Sequence, residues 1–371
     1  MRIVSVAGTR PQLIKAAALE PVLRRDHEAR FVDTGQHYDE TLAGAFFDEL
    51  GLPPPDVSLG IAGGGHGAQT GRMLLALEPL LEQERPDAIL VYGDTNSTLA
   101  GALAAAKLAI PVAHVEAGLR SFDRAMPEEL NRIVVDHLAR WLFAPTPAAV
   151  ANLAAEGVRT GVLEVGDLML DLAARLADDV RDRAVLGPIG QRLGLPLAPG
   201  AFLFATVHRA ENRERDALAT WSRLLGEVAA PDRPVVLALH PGTAAALAAA
   251  GVALPPTVRV VEPQGYRTSL ALQLHAAAVL TDSGGVQREA AWLGTPCLVL
   301  RRTTEWVEAV ADPAGRIVLV GLDAAAARAA LARLAPRAEA PALSLRRARD
   351  LALRPAGAAA AISRALLDAQ P

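Results

Sequence analysis

The chain has 371 residues, more than one hydrophobic core usually organises, so two domains are the first expectation. A formal net charge of -4 argues against a general nucleic-acid surface, because such surfaces neutralise phosphates with a basic face. Apolar residues make up 51%, yet no run of about eighteen apolar residues offers a membrane span. The N-terminus predicts a first strand rather than a signal peptide. We therefore expect a cytoplasmic protein whose partners are small molecules or a second copy of itself.

Short apolar runs alternate with amphipathic stretches through the first part of the chain. Strands are predicted at residues 2–8, 29–35, 88–94, 111–118 and 141–146. Helices are predicted between them, for example at residues 11–25, 71–84 and 95–108. This alternation is typical of a mostly parallel sheet covered by helices on both faces.

The same alternation starts again after Pro199 and Gly200. Strands are predicted at residues 202–208, 234–240, 258–263, 279–282, 296–300 and 316–320. The Ala-rich stretches 324–335 and 356–367 predict helices. The single cysteine, Cys297, lies in a buried strand pattern and excludes a disulfide within the chain.

The expected fold class is α/β, with two Rossmann-like domains that face each other across a cleft. We predict an N-terminal domain over residues 1–166, which carries the acidic motifs described next. A C-terminal nucleotide-binding domain is predicted over residues 167–354. Residues 355–371 predict a C-terminal helix that packs back on the N-terminal domain.

Carboxylates follow two predicted strands and begin one predicted helix. Asp94 and Glu116 each end an apolar run, and Glu128 and Glu129 follow Pro127. Ligands of open α/β sheets bind outside the carboxyl ends of the strands, so these positions predict acid-base chemistry. For Glu128 and Glu129, a favourable interaction with the helix dipole is the competing explanation. The spacing does not match a metal-binding motif, so no metal site is predicted.

The turn Gly8-Thr9-Arg10-Pro11 follows the first predicted strand and precedes a helix that carries Lys15. Arg10, Lys15 and the helix N-terminus together offer positive charge to an anion. Lys15 and Lys107 are the only lysines in the chain, which gives Lys15 some weight as a phosphate ligand. The turn is not a G-x-G-x-x-G dinucleotide motif, so NAD binding is disfavoured.

The segment Thr281 to Ala290 gives the strongest phosphate signal. Ser283, Gly284 and Gly285 open a predicted helix whose free amides can face a diphosphate without obstruction by side chains. Glu289 on the same helix is suited to ribose hydroxyl groups. The competing explanation is an ordinary strand-to-helix turn in which Ser283 caps the helix. His208 ends another predicted strand, where both acid-base catalysis and phosphate binding are open to it.

Taken in order, these motifs closely resemble the non-hydrolysing UDP-N-acetylglucosamine (UDP-GlcNAc) 2-epimerases, which share the two-domain GT-B fold with many glycosyltransferases. The resemblance extends over nearly the whole chain, through residues 8–11, 34–37, 93–95, 114–120, 127–132, 208–212, 281–289 and 304–305. It implies reversible inversion at C2 of the sugar to give UDP-N-acetylmannosamine (UDP-ManNAc). The implied route is anti elimination of UDP to 2-acetamidoglucal followed by re-addition, without a cofactor.

The resemblance also assigns roles to individual residues. The matching catalytic residues are Asp94, Glu116, Glu128 and His208. The matching UDP-binding residues are Arg10, Lys15, Gln264, Ser283, Gly284, Gly285 and Glu289. Gln36 and His37 match a second, activating UDP-GlcNAc site, with Gln69 and Arg72 as nearby candidates. A homodimer and a role in polysaccharide biosynthesis are further implications.

This sequence departs from the family pattern at positions that bear on substrate choice. Gln12 stands where many relatives have Glu, and Trp306 replaces a nucleotide-contacting arginine of enterobacterial relatives. A tryptophan also occurs in relatives that act on 2,3-diacetamido uronic-acid sugars, so epimerisation of such a UDP-sugar is an alternative. The sequence also leaves open a retaining GT-B glycosyltransferase and a noncatalytic nucleotide-sugar sensor.

Overall fold

The computed structural model describes residues 1–36, 47, 49–181, 183–311, 315–333 and 357–368. Contacts divide the chain into two compact units, Met1–Leu172 with Leu353–Pro371, and Ala173–Ala352. The division falls within the helix Leu168–Arg181, whereas the predicted boundary at residues 166 and 167 lies just before this helix. In the described part of the chain, no helix has both the length and the apolar character needed to cross a membrane.

The first unit contains a seven-stranded parallel sheet. Its strands are β1 (Arg2–Ala7), β2 (Glu28–Asp33), β3 (Val57–Ser58), β4 (Ala88–Tyr92), β5 (Val112–Val115), β6 (Trp141–Ala144) and β7 (Val162–Glu164). They lie in the order β3-β2-β1-β4-β5-β6-β7. The central strands are buried on both faces, which is why they are continuous apolar runs in the sequence.

Five helices connect the strands of this sheet and supply the other half of its core within the described residues. They are α1 (Arg10–Asp26), α2 (His66–Glu84), α3 (Asn96–Lys107), α4 (Pro127–Leu138) and α5 (Pro147–Ala155). The helix α6 (Leu168–Arg181) follows β7 and contains the division between the units. Helix α3 is rich in alanine and packs between α2 and α4. Its Gly101 lies against the sheet, where an added Cβ would meet Val91 at 3.0 Å. The small residues of α3 therefore allow close helix-sheet contact beneath the polar turns of β4 and β5.

The second unit contains a six-stranded parallel sheet. Its strands are β8 (Leu203–Val207), β9 (Val235–Leu239), β10 (Val258–Val261), β11 (Ala278–Thr281), β12 (Cys297–Val299) and β13 (Ile317–Leu319), in the order β10-β9-β8-β11-β12-β13. The helices are α7 (Leu186–Leu193), α8 (Arg215–Val228), α9 (Pro241–Ala250), α10 (Tyr266–His275), α11 (Gly284–Trp292), α12 (Val307–Val310) and α13 (Ala324–Arg333). Short 3-10 turns cover Arg183–Val185 and Ala210–Arg213. Trp221 on α8 is fully buried in the core of this unit.

The last described helix, α14 (Ala358–Asp368), packs on α1 of the first unit. The carboxylate of Asp171 accepts hydrogen bonds from the amides of Gly357 at 2.6 Å and Ala359 at 2.9 Å, so it caps the start of α14. In the middle of the helix, Ser363 Oγ donates to Asp26 at 2.7 Å and lies 3.2 Å from His27 Nε2. These polar contacts fix where α14 lies on the surface of α1.

The predicted fold class is confirmed, since both units are α/β with parallel sheets. Every strand range predicted above overlaps an observed strand. The edge strands β3 and β7 lie outside the predicted ranges, because two or three residues are too short to show a hydrophobic period.

The docking of α14 is expected to weaken in mild acid. Burial lowers the pKa of His27, the charge of the N-terminus lowers it further, and the contacts with Ser363 and Asp26 only partly oppose this. The folded protein therefore binds fewer protons at His27 than the unfolded chain, so stability is lost as the pH falls below about 6.5. Asp26 titrates at much lower pH, because Arg25 and Ser363 hold its pKa below the ordinary range.

Amide hydrogen exchange of residues 358–368 between about pH 7.5 and 5.5, corrected for intrinsic rates, measures this effect across the ordinary histidine pKa. His27→Gln is the matched variant, since its amide can still contact Ser363 and does not titrate. We expect α14 to lose protection with acid in the wild type and not in the variant. The same pH dependence in both proteins would contradict the assignment to His27.

Candidate active site

Asp94 and Glu116 lie beside each other at the carboxyl edge of the first sheet. Asp94 follows β4 and Glu116 follows β5, and these strands are hydrogen-bonded neighbours. Gly93 has a positive φ of 61°, and a Cβ there would lie 3.1 Å from Glu116 Oε2 and 3.4 Å from Lys15 Nζ. The turn before Asp94 therefore packs directly against the Glu116 carboxylate.

Glu116 has a left-handed backbone, with φ of 70°. Non-glycine residues seldom adopt this conformation, and when they do they often mark a functional turn. The carbonyl oxygen of Phe143 on β6 holds the turn by accepting from the amides of Glu116 at 3.0 Å and Ala117 at 3.2 Å. The strained backbone gives the carboxylate of Glu116 a fixed direction.

Lys15 forms an ion pair with Glu116. The two side chains are only 7% and 11% exposed, so each charge compensates a partner that would be costly to bury alone. Lys15 comes from α1, one turn beyond the predicted anion-binding turn. The structure thus directs this lysine at a carboxylate of the first unit.

Helix α4 supplies the partners of Asp94. Arg132 forms an ion pair with the Asp94 carboxylate, and Asn131 Nδ2 donates to the Asp94 carbonyl oxygen at 2.8 Å. Arg132 also pairs with Glu129 at 2.8 Å. Glu129 in turn accepts from the amide of Ser121 at 2.9 Å, which anchors the loop before α4.

The adjacent residues Glu128 and Glu129 have different roles in the fold. Glu129 is 1% exposed and fully engaged in the contacts just described. Glu128 is half-buried, and within the described residues it makes no hydrogen bond or ion pair. Glu129 thus has specific partners, whereas the helix-dipole explanation still applies to Glu128, whose carboxylate is open to a ligand.

Gln12 connects the predicted anion-binding turn to the end of β4. Its Oε1 accepts from the amides of Gly8 at 2.9 Å and Thr9 at 3.1 Å, while its Nε2 donates to the Tyr92 carbonyl oxygen at 2.7 Å. An ionised glutamate at this position would lack the donor to Tyr92. The amides of Gly8 and Thr9 are engaged, whereas Arg10 lies exposed at the start of α1.

In the second unit, the buried carboxylate of Asp282 organises the turn that follows β8. It accepts from the amides of His208 at 3.0 Å and Arg209 at 2.9 Å, and from Asn212 Nδ2 at 2.8 Å. His208 Nδ1 lies 3.4 Å from Asp282, and the imidazole is 41% exposed. His208 is thus held by its backbone while its ring remains accessible to a ligand.

The helix α11 begins at the predicted phosphate motif. Ser283 is its N-cap, and its Oγ accepts from the amide of Val286 at 3.4 Å. A Cβ at Gly284 would lie 2.6 Å from Glu305 Oε1, so a larger residue would collide with this carboxylate. Trp306 closes over the same helix, with Arg288 stacked 3.6 Å from the centre of its ring.

The other predicted ligands of the second unit have different surroundings. Glu289 is 3% exposed and accepts from Gln273 Nε2 at 2.6 Å, so its carboxylate is already oriented by a neighbour. Gln264 lies in the loop after β10 and donates to the Glu262 carbonyl oxygen at 2.6 Å. Within this unit, the structure places His208 and Ser283 at the ends of the neighbouring strands β8 and β11.

The residues predicted for a second site cluster near the start of α3. Gln36 Oε1 accepts from the amide of Ser97 at 3.0 Å, and Asn96 Nδ2 donates to Gln69 Oε1 at 2.8 Å. Gln69 also reaches the Gln36 carbonyl oxygen at 3.4 Å. Arg72 instead donates to the carbonyl oxygen of Ala62 at 2.9 Å. His37 lies outside the described residues.

Sequence reasoning missed the partners of several residues that hold the site together. Arg132 and Asp282 are buried charged side chains whose partners come from distant segments, and Glu129, a candidate for acid-base chemistry above, instead contacts Arg132 and Ser121. Spacing gave one signal, since Glu129 and Arg132 are three positions apart and share the buried face of α4. No local pattern indicated the partners of Asp282.

Comparisons with known proteins agree with this geometry. A family model described as UDP-N-acetylglucosamine 2-epimerase matches residues 22–350. The UDP-N-acetylglucosamine 2-epimerase of Methanocaldococcus jannaschii is 39% identical over 333 residues, which cover 86% of this chain and 88% of the relative. The UDP-2,3-diacetamido-2,3-dideoxy-D-glucuronate 2-epimerase of Pseudomonas aeruginosa is 44% identical over 327 residues, with coverage of 86% and 88%.

The crystal structure of the Methanocaldococcus jannaschii UDP-GlcNAc 2-epimerase in complex with UDP-GlcNAc and UDP is similar over both units. It matches with a TM-score of 0.86 and 34% identity, covering 99% of this chain and 100% of that chain. This similarity confirms the predicted fold of two Rossmann-like domains of the GT-B type. With the family model matching most of its length, the chain belongs to the UDP-N-acetylglucosamine 2-epimerase family.

Proposed function

We propose that the protein is an isomerase that interconverts UDP-GlcNAc and UDP-ManNAc by inversion at C2 of the sugar. The observation that carries the proposal is the juxtaposition of Asp94 and Glu116 on neighbouring turns, with Glu116 in a left-handed backbone. Inversion needs one group to remove a proton and another to return a proton to the opposite face. Glu128, which keeps its carboxylate available, supplies a third group.

The chemistry proceeds through elimination, because the proton at C2 is not adjacent to a carbonyl group. A carboxylate takes this proton, the electron pair of the C–H bond forms a C1–C2 double bond, and the bond from C1 to the UDP oxygen breaks. UDP leaves with that electron pair. In the reverse step UDP adds to C1 of 2-acetamidoglucal, and a carboxylic acid delivers a proton to the other face of C2.

We assign the three carboxylates of Asp94, Glu116 and Glu128 to these proton transfers. Two of them have different partners: Asp94 is held by Arg132, and Glu116 by Lys15. A pair of acids in distinct environments is what separate acid and base roles require. Lys15 contributes to the site through Glu116, in addition to its proposed interaction with UDP.

The residues of the second unit are assigned to UDP. The amides at the start of α11, at Ser283, Gly284 and Gly285, favour the negative charge of a diphosphate. His208 has an accessible ring on the neighbouring strand end, where it can interact with the departing diphosphate. We assign Glu289 to the ribose, with Gln264 and Arg10 as further UDP ligands.

The cluster around Gln36 is proposed as the activating UDP-GlcNAc site. Its support is the connection between Gln36, Gln69 and the start of α3, whose first residues follow Asp94 directly in the sequence. A ligand at this cluster would act on the same helix that follows the Asp94 turn. His37 and Arg72 complete the proposed set.

A second candidate substrate is a UDP-sugar of the 2,3-diacetamido uronic-acid class. The Pseudomonas aeruginosa enzyme that is named for this class is 44% identical to the chain. Trp306 also replaces the arginine of other relatives and stacks on Arg288 at 3.6 Å. The uronate would add a negative charge at C6 and an acetamido group at C3, so it requires a different set of sugar contacts.

We further propose that the protein is a cytoplasmic homodimer that serves polysaccharide biosynthesis. The exposed apolar side chains of the first unit support a dimer, since Leu75 is 76%, Leu130 47% and Val134 43% exposed. They lie on α2 and α4, the two helices that pack against α3. A second copy of the chain is the partner that would cover these side chains.

Incubation of the pure protein with UDP-GlcNAc in deuterated water tests the reaction. We expect UDP-ManNAc that carries deuterium at C2, because the returned proton comes from a solvent-exchanged acid. Mass spectrometry and NMR of the products provide the measurement. Absence of exchange, with or without added activating nucleotide sugar, would contradict the proposal.

The same assay separates the candidate functions. Incorporation of deuterium at C2 of the diacetamido uronic-acid UDP-sugar, but not of UDP-GlcNAc, would identify the second candidate substrate. Transfer of sugar to an acceptor would identify a glycosyltransferase, and saturable binding without exchange would identify a sensor.

Glu116→Gln is expected to lower kcat by about 100-fold or more, the usual contribution of a general acid or base. The amide has nearly the shape of the carboxylate but cannot accept the proton. Circular dichroism should show a folded protein even though Lys15 loses its charged partner. Glu82→Gln, at an exposed position of α2, is the matched control and should retain wild-type kcat. Full activity of Glu116→Gln would remove this residue from proton transfer.

Asp282→Asn is expected to lower kcat/KM by about tenfold or more and to destabilise the second unit by about 1–3 kcal/mol. The asparagine side chain cannot accept all the hydrogen bonds that Asp282 accepts from the turn at His208. Steady-state kinetics and thermal unfolding measure the two effects. Asp216→Asn, an exposed residue in the first turn of α8, should change neither. Unchanged kinetics in Asp282→Asn would show that the conformation of the His208 turn does not limit catalysis.

A further inference from the structure

A buried cluster of charged side chains lies directly behind Asp94 and Glu116. His114 on β5 and Asp136 on α4 are both fully buried, and their Nδ1 and Oδ1 atoms are 2.6 Å apart. Arg120 Nη1 lies 2.7 Å from the other oxygen of Asp136, and Arg120 also pairs with Glu156 at 2.7 Å. None of these residues is required by the reaction scheme. The cluster therefore needs a separate explanation.

Asp136 connects α4 to the turn that carries Glu116. Its Oδ2 accepts from the amide of Gly118 at 3.1 Å, two residues after Glu116. Gly118 has a positive φ of 82°, and a Cβ there would lie 2.3 Å from the Ala149 carbonyl oxygen, so this position of the turn requires glycine. The helix that holds Asp136 also carries Asn131 and Arg132, the partners of Asp94.

His114 connects the same carboxylate to the turn that carries Asp94. Its Nε2 lies 2.7 Å from the Gly93 carbonyl oxygen, immediately before Asp94. A carbonyl oxygen only accepts hydrogen bonds, so Nε2 carries a proton in this contact. The His114 ring thus bridges the end of β4 to α4 through β5.

Both ring nitrogens of His114 take part in hydrogen bonds. Since Nε2 donates to the Gly93 carbonyl oxygen, a proton must also lie between Nδ1 and Asp136 Oδ1, which are 2.6 Å apart. Burial raises the pKa of Asp136, yet His114 and Arg120 outweigh this effect and leave it below its usual range. The pKa of Glu156 is likewise lowered, chiefly by its hydrogen bond from Arg120. The ring and the Asp136 carboxylate are therefore held in one orientation by their hydrogen bonds.

We propose that His114 and Asp136 are positioning residues that set the separation and orientation of Asp94 and Glu116. The buried His114 ring holds the Gly93 carbonyl, and the buried Asp136 carboxylate holds the Gly118 amide, so one hydrogen-bonded pair fixes both turns. The catalytic part of this proposal rests on the proposed epimerase function. Neither residue transfers a proton to the sugar.

Two variants that each keep a different contact of His114 test the positioning role through their kinetics. His114→Asn keeps an amide donor near the position of Nδ1, which can contact Asp136, and loses the contact with the Gly93 carbonyl oxygen. His114→Gln places its amide near the position of Nε2 and keeps the contact with the Gly93 carbonyl oxygen. We expect His114→Asn to lower kcat by about 100-fold, the usual effect of misplacing a catalytic group by about 1 Å. His114→Gln should retain distinctly more activity, and KM should stay within about threefold in both, since the UDP ligands are unchanged.

His137→Asn is the matched control. His137 follows Asp136 on α4 but is exposed, and its ring contacts only the Ile133 carbonyl oxygen within the described residues. This variant should have wild-type kcat and KM. Equal kcat for His114→Asn and wild type would overturn the proposal, as would a His114→Gln variant no more active than His114→Asn.

Two measurements do not depend on activity. NMR of the protein labelled with ¹⁵N-histidine should show a proton on Nε2 of His114 that exchanges slowly with water, and an unprotonated Nε2 would overturn the contact with the Gly93 carbonyl oxygen. A crystal structure of His114→Asn should show a displaced Gly93-Asp94 turn, and an unchanged turn would overturn the positioning role. If His114→Asn does not fold, His114→Gln and the NMR spectrum of the wild type decide the question.

These readouts also separate the positioning role from the epimerase function. A wild-type protein that does not exchange deuterium into UDP-sugars would defeat the epimerase assignment. The NMR and crystallographic results would still show whether the hydrogen-bonded pair holds the two turns.

Discussion

The structure depends on the ion pairs and hydrogen bonds that compensate charged side chains buried at the carboxyl ends of its parallel strands. An isolated buried charge costs several kcal/mol, so each such group in a stable fold requires a partner. In the first unit Lys15 pairs with Glu116 and Arg132 pairs with Asp94. These partners come from the helices α1 and α4. The polar site and the packing of helices on the sheet are therefore specified together.

A second layer of buried charge supports the first. Asp136 is fully buried, and it contacts His114, Arg120 and the amide of Gly118. In the second unit the buried carboxylate of Asp282 supports the turn at His208 in a similar way, since it accepts hydrogen bonds from the amides of His208 and Arg209. Each carboxylate is buried completely and makes several hydrogen bonds, which restricts the motion of a turn. The two units thus hold their ligand-facing turns by the same physical means.

Much of the fold follows from local sequence patterns. Strands buried on both faces are continuous apolar runs, so β1, β4 and β8 are evident without a structure. The motif at Ser283 predicts a helix start because serine is a favoured N-cap residue, and the two glycines that follow leave the first helical amides unobstructed. The short edge strands β3 and β7 were not predicted, since they depend on pairing with β2 and β6 rather than on their own sequences.

The sequence by itself determined the fold class, the family resemblance and the positions of Asp94, Glu116, Glu128 and His208 at strand and helix ends. Only the tertiary structure decided which charges meet: Lys15 with Glu116, Arg132 with Asp94, and Asp136 with His114. It also separated Glu129, which is buried and engaged, from its neighbour Glu128. The physical reason is that periodicity reports which face of an element is buried. The partner of a buried charge is set by contacts between segments far apart in the chain.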